Sequence, residues 1–321
     1  MREFALLHRV FARNAELPSS VVIPPGDDMA LVSLGDQTRV LIAADSAIEG
    51  RHTPFGCDPY LIGCKAMLRN LSDVAAMGAV RPVATVACAV FPTGTEESRA
   101  WRLAEGLRET AASWGAPLVG GDIATMPASV EGAPIIASVT ILAVPLSPTA
   151  RITTRADARP GDGVYVTGVI GGAWDASTGL GRHLNFTPRI AAAQKLAATL
   201  GERLGAMIDV SDGLGRDLGH IAVQSNVAIE IDLAMLPVAP GINPRRALGQ
   251  GEDYELAFTA RGEVPKEIDG VAVTRIGSVI AGRGTVRAQF EDAWIDASTS
   301  GFEHDGTTRG EDLRGGSGEV R

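Results

Sequence analysis

Apolar residues recur at Leu61, Cys64, Leu68, Leu71 and Ala75, the spacing that turns one face of a helix inward. Asp58-Pro59 supplies an N-cap and a proline for the first helical position, and Gly78 supplies the stop, so the spacing predicts a helix over 59–77. Pro82–Phe91 has Thr85 as its only polar side chain, which predicts a strand buried on both faces or lying in an interface. Ala30–Leu34 and Arg39–Ala44 read as paired strands, preceded by the turn Pro24-Pro25-Gly26-Asp27-Asp28. A short amphipathic helix is expected over 4–13, and a longer one over 95–114 with Glu96-Glu97 where the helix dipole favours negative charge. Pro117–Val119 reads as a strand running into Gly120-Gly121-Asp122, and Ile135–Val144 as another.

After the irregular stretch 148–160 the alternation resumes. Strands are expected over 163–168, 206–210 and 228–233, with helices over 188–200 and 214–225, and Gly251–Leu256 leads into a strand through Thr259. This order predicts an α/β protein of two domains, 1–147 and 148–305. The tail 306–321, rich in Gly, Arg and acidic residues, is expected to be disordered.

Composition narrows the function. The chain has 321 residues, 45% of them apolar, enough for two cores. A net charge of −9 gives no electrostatic reason to bind nucleic acid or an anionic membrane. Cys57, Cys64 and Cys88 form no CxxC and have no His at metal-ligand spacing, so they read as buried or inert thiols, not a disulfide scaffold or zinc site. The N-terminus lacks a basic-then-apolar leader, and no apolar run reaches the roughly 18 residues of a membrane span. A soluble, cytoplasmic protein is expected.

The remaining signal is carboxylates. Asp27-Asp28, Asp45, Asp122, Asp209 and Asp212 stand at strand ends or turns, and Asp73 lies among apolar neighbours near the end of a helix, where the dipole disfavours it. Taken singly, each is an ordinary turn former or cap. Their recurrence suits Mg²⁺, which takes oxygen ligands and shares them with substrate phosphates. Ile208–Leu214 places two carboxylates and a hydroxyl at a strand-to-helix junction, whose amides face anions. No Walker, H-R-D or D-F-G motif is present, so any ATP chemistry uses another cradle.

Pro25–Asp28, Asp45 through Gly50-Arg51-His52, Asn70–Gly78, Gly120–Asp122, Ile208–Leu214 and Gly251–Leu256 follow one another in an order that resembles the thiamine-monophosphate kinase family. That family belongs to a superfamily with aminoimidazole ribonucleotide synthetase, selenophosphate synthetase and the hydrogenase maturation protein. The resemblance spans about Phe4 to His304. It implies a two-domain α/β fold whose N-terminal domain binds ATP and Mg²⁺ and pairs with its twin, forming a β-barrel across a homodimer interface. It implies direct in-line transfer of the ATP γ-phosphoryl group to thiamine phosphate, giving thiamine diphosphate, with no catalytic acid or base.

Carried over by position, Asp28, Asp45, Asp73, Asp122, Asp209 and Asp212 resemble the metal ligands. Gly121, Asp122, Arg155 and Ser211 resemble the ATP contacts, and His52, Glu252 and Phe302 the contacts to thiamine phosphate. The chain departs from the family pattern at Ala43-Ala44, where hydroxyl residues are common, at Gln250, and at Ala104, where a tyrosine is expected. A superfamily relative with another phosphate acceptor, or a non-catalytic nucleotide-binding homologue, stays open on the residues alone.

Overall fold

The computed structural model describes residues 3–14, 16–130 and 132–302. The expected tail lies outside the described residues. A short helix, α1 (Glu3–Phe11), precedes a sheet of strands β1 (Val21–Ile23), β2 (Ala30–Gly35), β3 (Thr38–Ile48), β4 (Val80–Phe91), β5 (Leu118–Thr125) and β6 (Ile136–Pro145). Their order is β1-β2-β3-β6-β4-β5, with β4 and β5 parallel. Helices α2 (Pro59–Ala76) and α3 (Glu97–Ser113) lie against one face of it.

The predicted helix caps are those observed: the Asp58 side chain accepts the Tyr60 N–H, and Pro59 opens α2. Gly78 ends it at φ 76°, where a Cβ would sit 2.5 Å from the Thr153 hydroxyl. A larger residue there would be strained at this φ and would press on the Thr153 side chain.

One expectation about this sheet narrows and another changes. Strand β4 alternates in burial, which rules out burial on both faces and leaves its outer face as the one an interface would cover. Ile42, Val86 and Leu142 are exposed on the face away from the helices, and Cys88 is an exposed thiol, whereas Cys57 and Cys64 are buried. Gly120-Gly121-Asp122 also does not follow a strand but lies within β5, because pairing with Val86, Ala87 and Cys88 of β4 continues through it. A Cβ on Gly121 would come 1.8 Å from the Ala87 carbonyl oxygen, so strand packing alone requires this glycine.

The second sheet contains β7 (Gly163–Thr167), β8 (Leu204–Asp209), β9 (Ala228–Asp232), β10 (Leu256–Ala260), β12 (Val271–Ile280), β13 (Thr285–Phe290) and β14 (Ala293–Asp296), in the order β14-β13-β9-β12-β7-β10-β8. The short β11 (Glu267–Ile268) pairs with β12. Helix α5 (Leu214–Gln224) covers one face with α6 (Pro244–Gln250), around a core of Ile208, Leu218, Ile221, Ile229 and Leu248. The other face joins the first core: Met207, Leu256 and Phe258 pack in one cluster with Met67, Leu71 and Met77 of the α2 segment and Leu196 of α4 (Ile190–Leu200). Helix α2 is therefore shared by both sheets, and its C-terminal end reaches the end of β8.

Candidate active site at the junction of the sheets

The site begins with helix α2. Lys65, Arg69 and Asp73 are spaced four residues apart and share one face of this largely buried helix. Each meets a carboxylate or a carboxylate cluster contributed by other segments.

Asp73 meets two partners. One oxygen each of Asp28, Asp73 and Asp209 lie within 4.8 Å of one another. Asp28 comes from the loop before β2, Asp73 from α2 and Asp209 from the last position of β8. Opposite ligands of an octahedral Mg²⁺ at ~2.1 Å are separated by about 4.2 Å, so small closing movements would let the three hold one ion. The surroundings prepare the group for this. The Ser72 hydroxyl donates to Asp209 Oδ2 at 2.5 Å. Arg155 donates Nε to Asp28 Oδ2 at 3.2 Å and Nη2 to Oδ1, and its backbone N–H reaches Asp27 Oδ2 at 3.0 Å. Asp217 Oδ2 accepts the N–H groups of Asp212 and Gly213 and so shapes the loop after β8.

The charges are costly without a cation. Burial, then the neighbouring Asp28, pushes Asp209 up to about 7. Burial, with Asp45 and Asp209 close by, raises Asp73 well above the carboxylate range. A folded-state acid with a raised pKa binds more protons than the unfolded chain, so its contribution to stability falls as pH rises, here from about 4 to about 7 for Asp209. A divalent cation reverses this by favouring the ionised form. Mg²⁺ is thus expected to raise the melting temperature by several degrees at pH 8 and hardly at all at pH 5, as checked by thermal melts across that range. Equal shifts at both pH values would count against a carboxylate metal centre.

Lys65 meets Glu252. Its side chain is wholly buried, and Nζ donates to the His52 carbonyl at 2.7 Å, to His183 Nδ1 at 2.5 Å and to Glu252 Oε2. His183 Nε2 lies 3.0 Å from the Gly179 carbonyl, which can only accept. The ring therefore carries its proton on Nε2 and leaves Nδ1 to accept from Lys65. Burial works against the Glu252 charge, but Lys65, with Arg69 behind it, holds this carboxyl well below its usual range. The backbone here is forced: Gly251, Glu252 and Tyr254 have φ of 67°, 62° and 52°. Left-handed conformations at non-glycine residues are uncommon and persist where surrounding structure holds them. Glu252 N–H bonds Ser211 O at 2.8 Å, Tyr254 N–H bonds Val210 O at 2.8 Å, and the Tyr254 ring stacks on Phe186 with centroids 3.9 Å apart.

The other expected residues are placed less tightly. The buried His52 accepts the Ile48 N–H on Nδ1 at 3.0 Å. The Phe302 N–H bonds the Asp212 carbonyl at 2.8 Å, and the Arg51 guanidinium lies 4.2 Å from the centre of the Phe302 ring. Ser211 and Asp212 lie on the loop after β8, where the Ser211 carbonyl accepts the Glu252 N–H, but Asp212 does not join the three-carboxylate group. Asp122 stands apart on exposed β5, at a cavity of 430 Å³ lined by Ala87, Phe91, Leu103, Ala104, Gly120 and Gly121. Its apolar walls and size suit a flat heterocycle, and Ala104, in place of the expected tyrosine, opens onto it.

The match to known proteins is broad. Residues 26–144 fit the family model described as AIR synthase related protein, N-terminal domain. A curated thiamine-monophosphate kinase from Escherichia coli is 34% identical over 311 residues, covering 87% of this chain and 90% of the relative. The chain belongs to the thiamine-monophosphate kinase family. The solved structure of AaThiL complexed with AMPPCP and TMP superposes with a TM-score of 0.75 at 27% identity, covering 94% of this chain and 97% of that one. The thiamine-monophosphate kinase structure from Stenotrophomonas maltophilia gives 0.68 at 31% identity, covering 91% and 98%. The mixed α/β, two-sheet architecture is that of the family.

Within this family frame, Lys65 and Arg69 are the residues that sequence reading passed over. A signal was available: both lie at helical spacing from Asp73, on a face where a lone lysine or arginine would otherwise be buried without a partner.

Proposed function

We propose that this chain transfers the γ-phosphoryl group of ATP directly to the phosphate of thiamine phosphate, giving thiamine diphosphate and ADP. The observation that carries this reading is the meeting of Asp28, Asp73 and Asp209, from three distant segments, at the junction of the two sheets of a member of this family.

The acceptor is a phosphate monoester with a second pKa near 6, so it is already ionised near neutral pH and needs no general base. Two anions must instead be brought together in line. Bound Mg²⁺ would neutralise phosphate oxygens, held by Asp28, Asp73 and Asp209, with Asp122 and Asp212 at the edges of the site. Gly121, Arg155 and Ser211 would hold ATP, with the adenine in the cavity beside Ala104. His52, Glu252 and Phe302 would hold the acceptor. Thiamine carries a fixed positive ring, and Glu252 fits it: Oε2 is taken by Lys65 and the Tyr254 hydroxyl, while among the described residues Oε1 has no protein partner. The exposed face with Ile42, Val86 and Leu142 would pair with a second copy in a homodimer. The N-terminal domain would then span 1–147 and the second 148–305.

Incubating the purified chain with ATP, Mg²⁺ and thiamine phosphate tests the reading. Thiamine diphosphate should form with one ADP per turnover. Tight ATP binding without turnover, or turnover only with a different phosphorylated acceptor, would overturn it.

A further inference from the structure

The remaining member of the α2 stripe is Arg69, and its partner is Asp45. Nε donates to Asp45 Oδ2 at 2.9 Å, and Nη1 donates to the Ser46 carbonyl at 2.9 Å. The guanidinium thus grips two consecutive residues of β3. Its side chain is 16% exposed and that of Asp45 35%. Burial works against its charge, while Asp45, Tyr254, Glu252 and Asp212 favour it.

The rest of β3 offers a metal little at this point. Positions 43 and 44 are alanines without side-chain oxygens. The alternation of β3 puts Ala43, Asp45 and Ala47 on the face towards α2 and turns Ala44 to the outer face. The Ser46 hydroxyl is engaged by Ser138 Oγ at 3.0 Å. A single carboxylate already hydrogen-bonded to a guanidinium is a poor ligand for Mg²⁺, which must displace the arginine and still find further oxygens. The three-carboxylate group that small closing movements would fit to an ion does not include Asp45.

We propose that in this chain the Arg69 guanidinium, and not a divalent cation, neutralises Asp45. Arg69 is a built-in positive charge beside the phosphoryl-transfer centre, covalently supplied by α2 and independent of the free Mg²⁺ concentration. The absence of side-chain oxygens at Ala43-Ala44 and the Arg69–Asp45 pair are then two parts of one arrangement, in which the guanidinium supplies the charge a cation would otherwise supply. A guanidinium also offers directional donors, which suit it to hold a phosphate oxygen as well as a carboxylate.

This rests on the reading of the site as a magnesium centre, and the test separates the two. Bound Mn²⁺ is counted by electron paramagnetic resonance, with a non-hydrolysable ATP analogue present, in the native chain and in Asp45→Asn and Asp209→Asn. Asn at position 45 keeps an acceptor for Arg69, so the fold should be retained, as circular dichroism will show. Asp45→Asn is expected to bind the same number of ions as the native chain, and Asp209→Asn at least one fewer. Loss of an ion in Asp45→Asn would overturn the proposal. An Asp209→Asn chain that keeps every ion would instead overturn the carboxylate centre, leaving the Asp45 result to stand by itself.

Discussion

Asp209→Asn should lower kcat for thiamine diphosphate formation by at least about 10²–10³-fold, the scale expected when a charge stabiliser of the reacting centre is lost. The same change should leave the metal-free protein at least as stable as the native one. Asn has the shape of Asp and keeps an oxygen to accept the Ser72 hydroxyl, which now donates to Oδ2 at 2.5 Å. What it removes is a buried negative charge placed beside Asp28 and Asp73, and that charge is unfavourable enough to push Asp209 up to about 7. The expected pattern is a dead enzyme with an unchanged or higher melting temperature, a stability–activity trade at the site. Rates and melts of the purified variant, without and with Mg²⁺, check it. The variant should also lose most of the Mg²⁺-induced rise in melting temperature at pH 8. A variant that is inactive only because it unfolds, or one that turns over at near-normal rates, would remove Asp209 from the metal centre.

The second large effect concerns Lys65→Met. Methionine fits the space of the buried stem but leaves Glu252 without its cation. The side chain of Glu252 is 23% exposed, so part of the cost is screened by solvent, and the loss should be about 3 kcal/mol, the low end for breaking a buried pair. The protein should still fold, with a melting temperature several degrees lower. The functional consequence is more diagnostic. Lys65 ties Glu252, His183 and the carbonyl of His52, three points around the proposed acceptor site. With Lys65 gone, KM for thiamine phosphate should rise by at least about tenfold, equivalent to ~1.4 kcal/mol, while KM for ATP changes by less than about twofold. A purely structural role would move both constants, or neither, along with the melting temperature. Equal changes in the two KM values would show that Lys65 does not position the acceptor site.

Most of the regular elements and the family strings were legible from the residues. The helical period, the Asp58-Pro59 start and the Gly78 stop located α2 to within a residue or two. The string Ile208–Leu214 correctly announced a strand ending at carboxylates and a helix beginning just beyond, with β8 ending at Asp209 and α5 starting at Leu214. These are local properties: propensity, capping and period act over one or two turns. The strand run 271–296 and helix α6 were not anticipated, because α6 is only seven residues long and the strands mix polar and apolar positions without a clean alternation. The position of Gly120-Gly121-Asp122 was misjudged for a different reason. Two glycines in a row read as a turn, but the neighbouring strand β4 supplies pairing that keeps the chain extended, and Gly121 is required there by the approach of the Ala87 carbonyl.

The carboxylates divide along the same line. By itself the sequence determined which residue types were available, that they recur at element ends, and through its strings which family they belong to. It could not say which of them meet. Asp28, Asp73 and Asp209 gather because α2 is packed between both sheets, which brings its last turn to the end of β8. Asp45 is drawn instead to Arg69, and Glu252 to Lys65, through side chains four and eight residues before Asp73 on the same helix. Coulomb energy depends on distance through space and on the local dielectric, and neither quantity is written in sequence separation. Helical spacing already put two cations and one anion on one face of α2; the tertiary structure alone decided which acids they meet, and so which are left to hold metal.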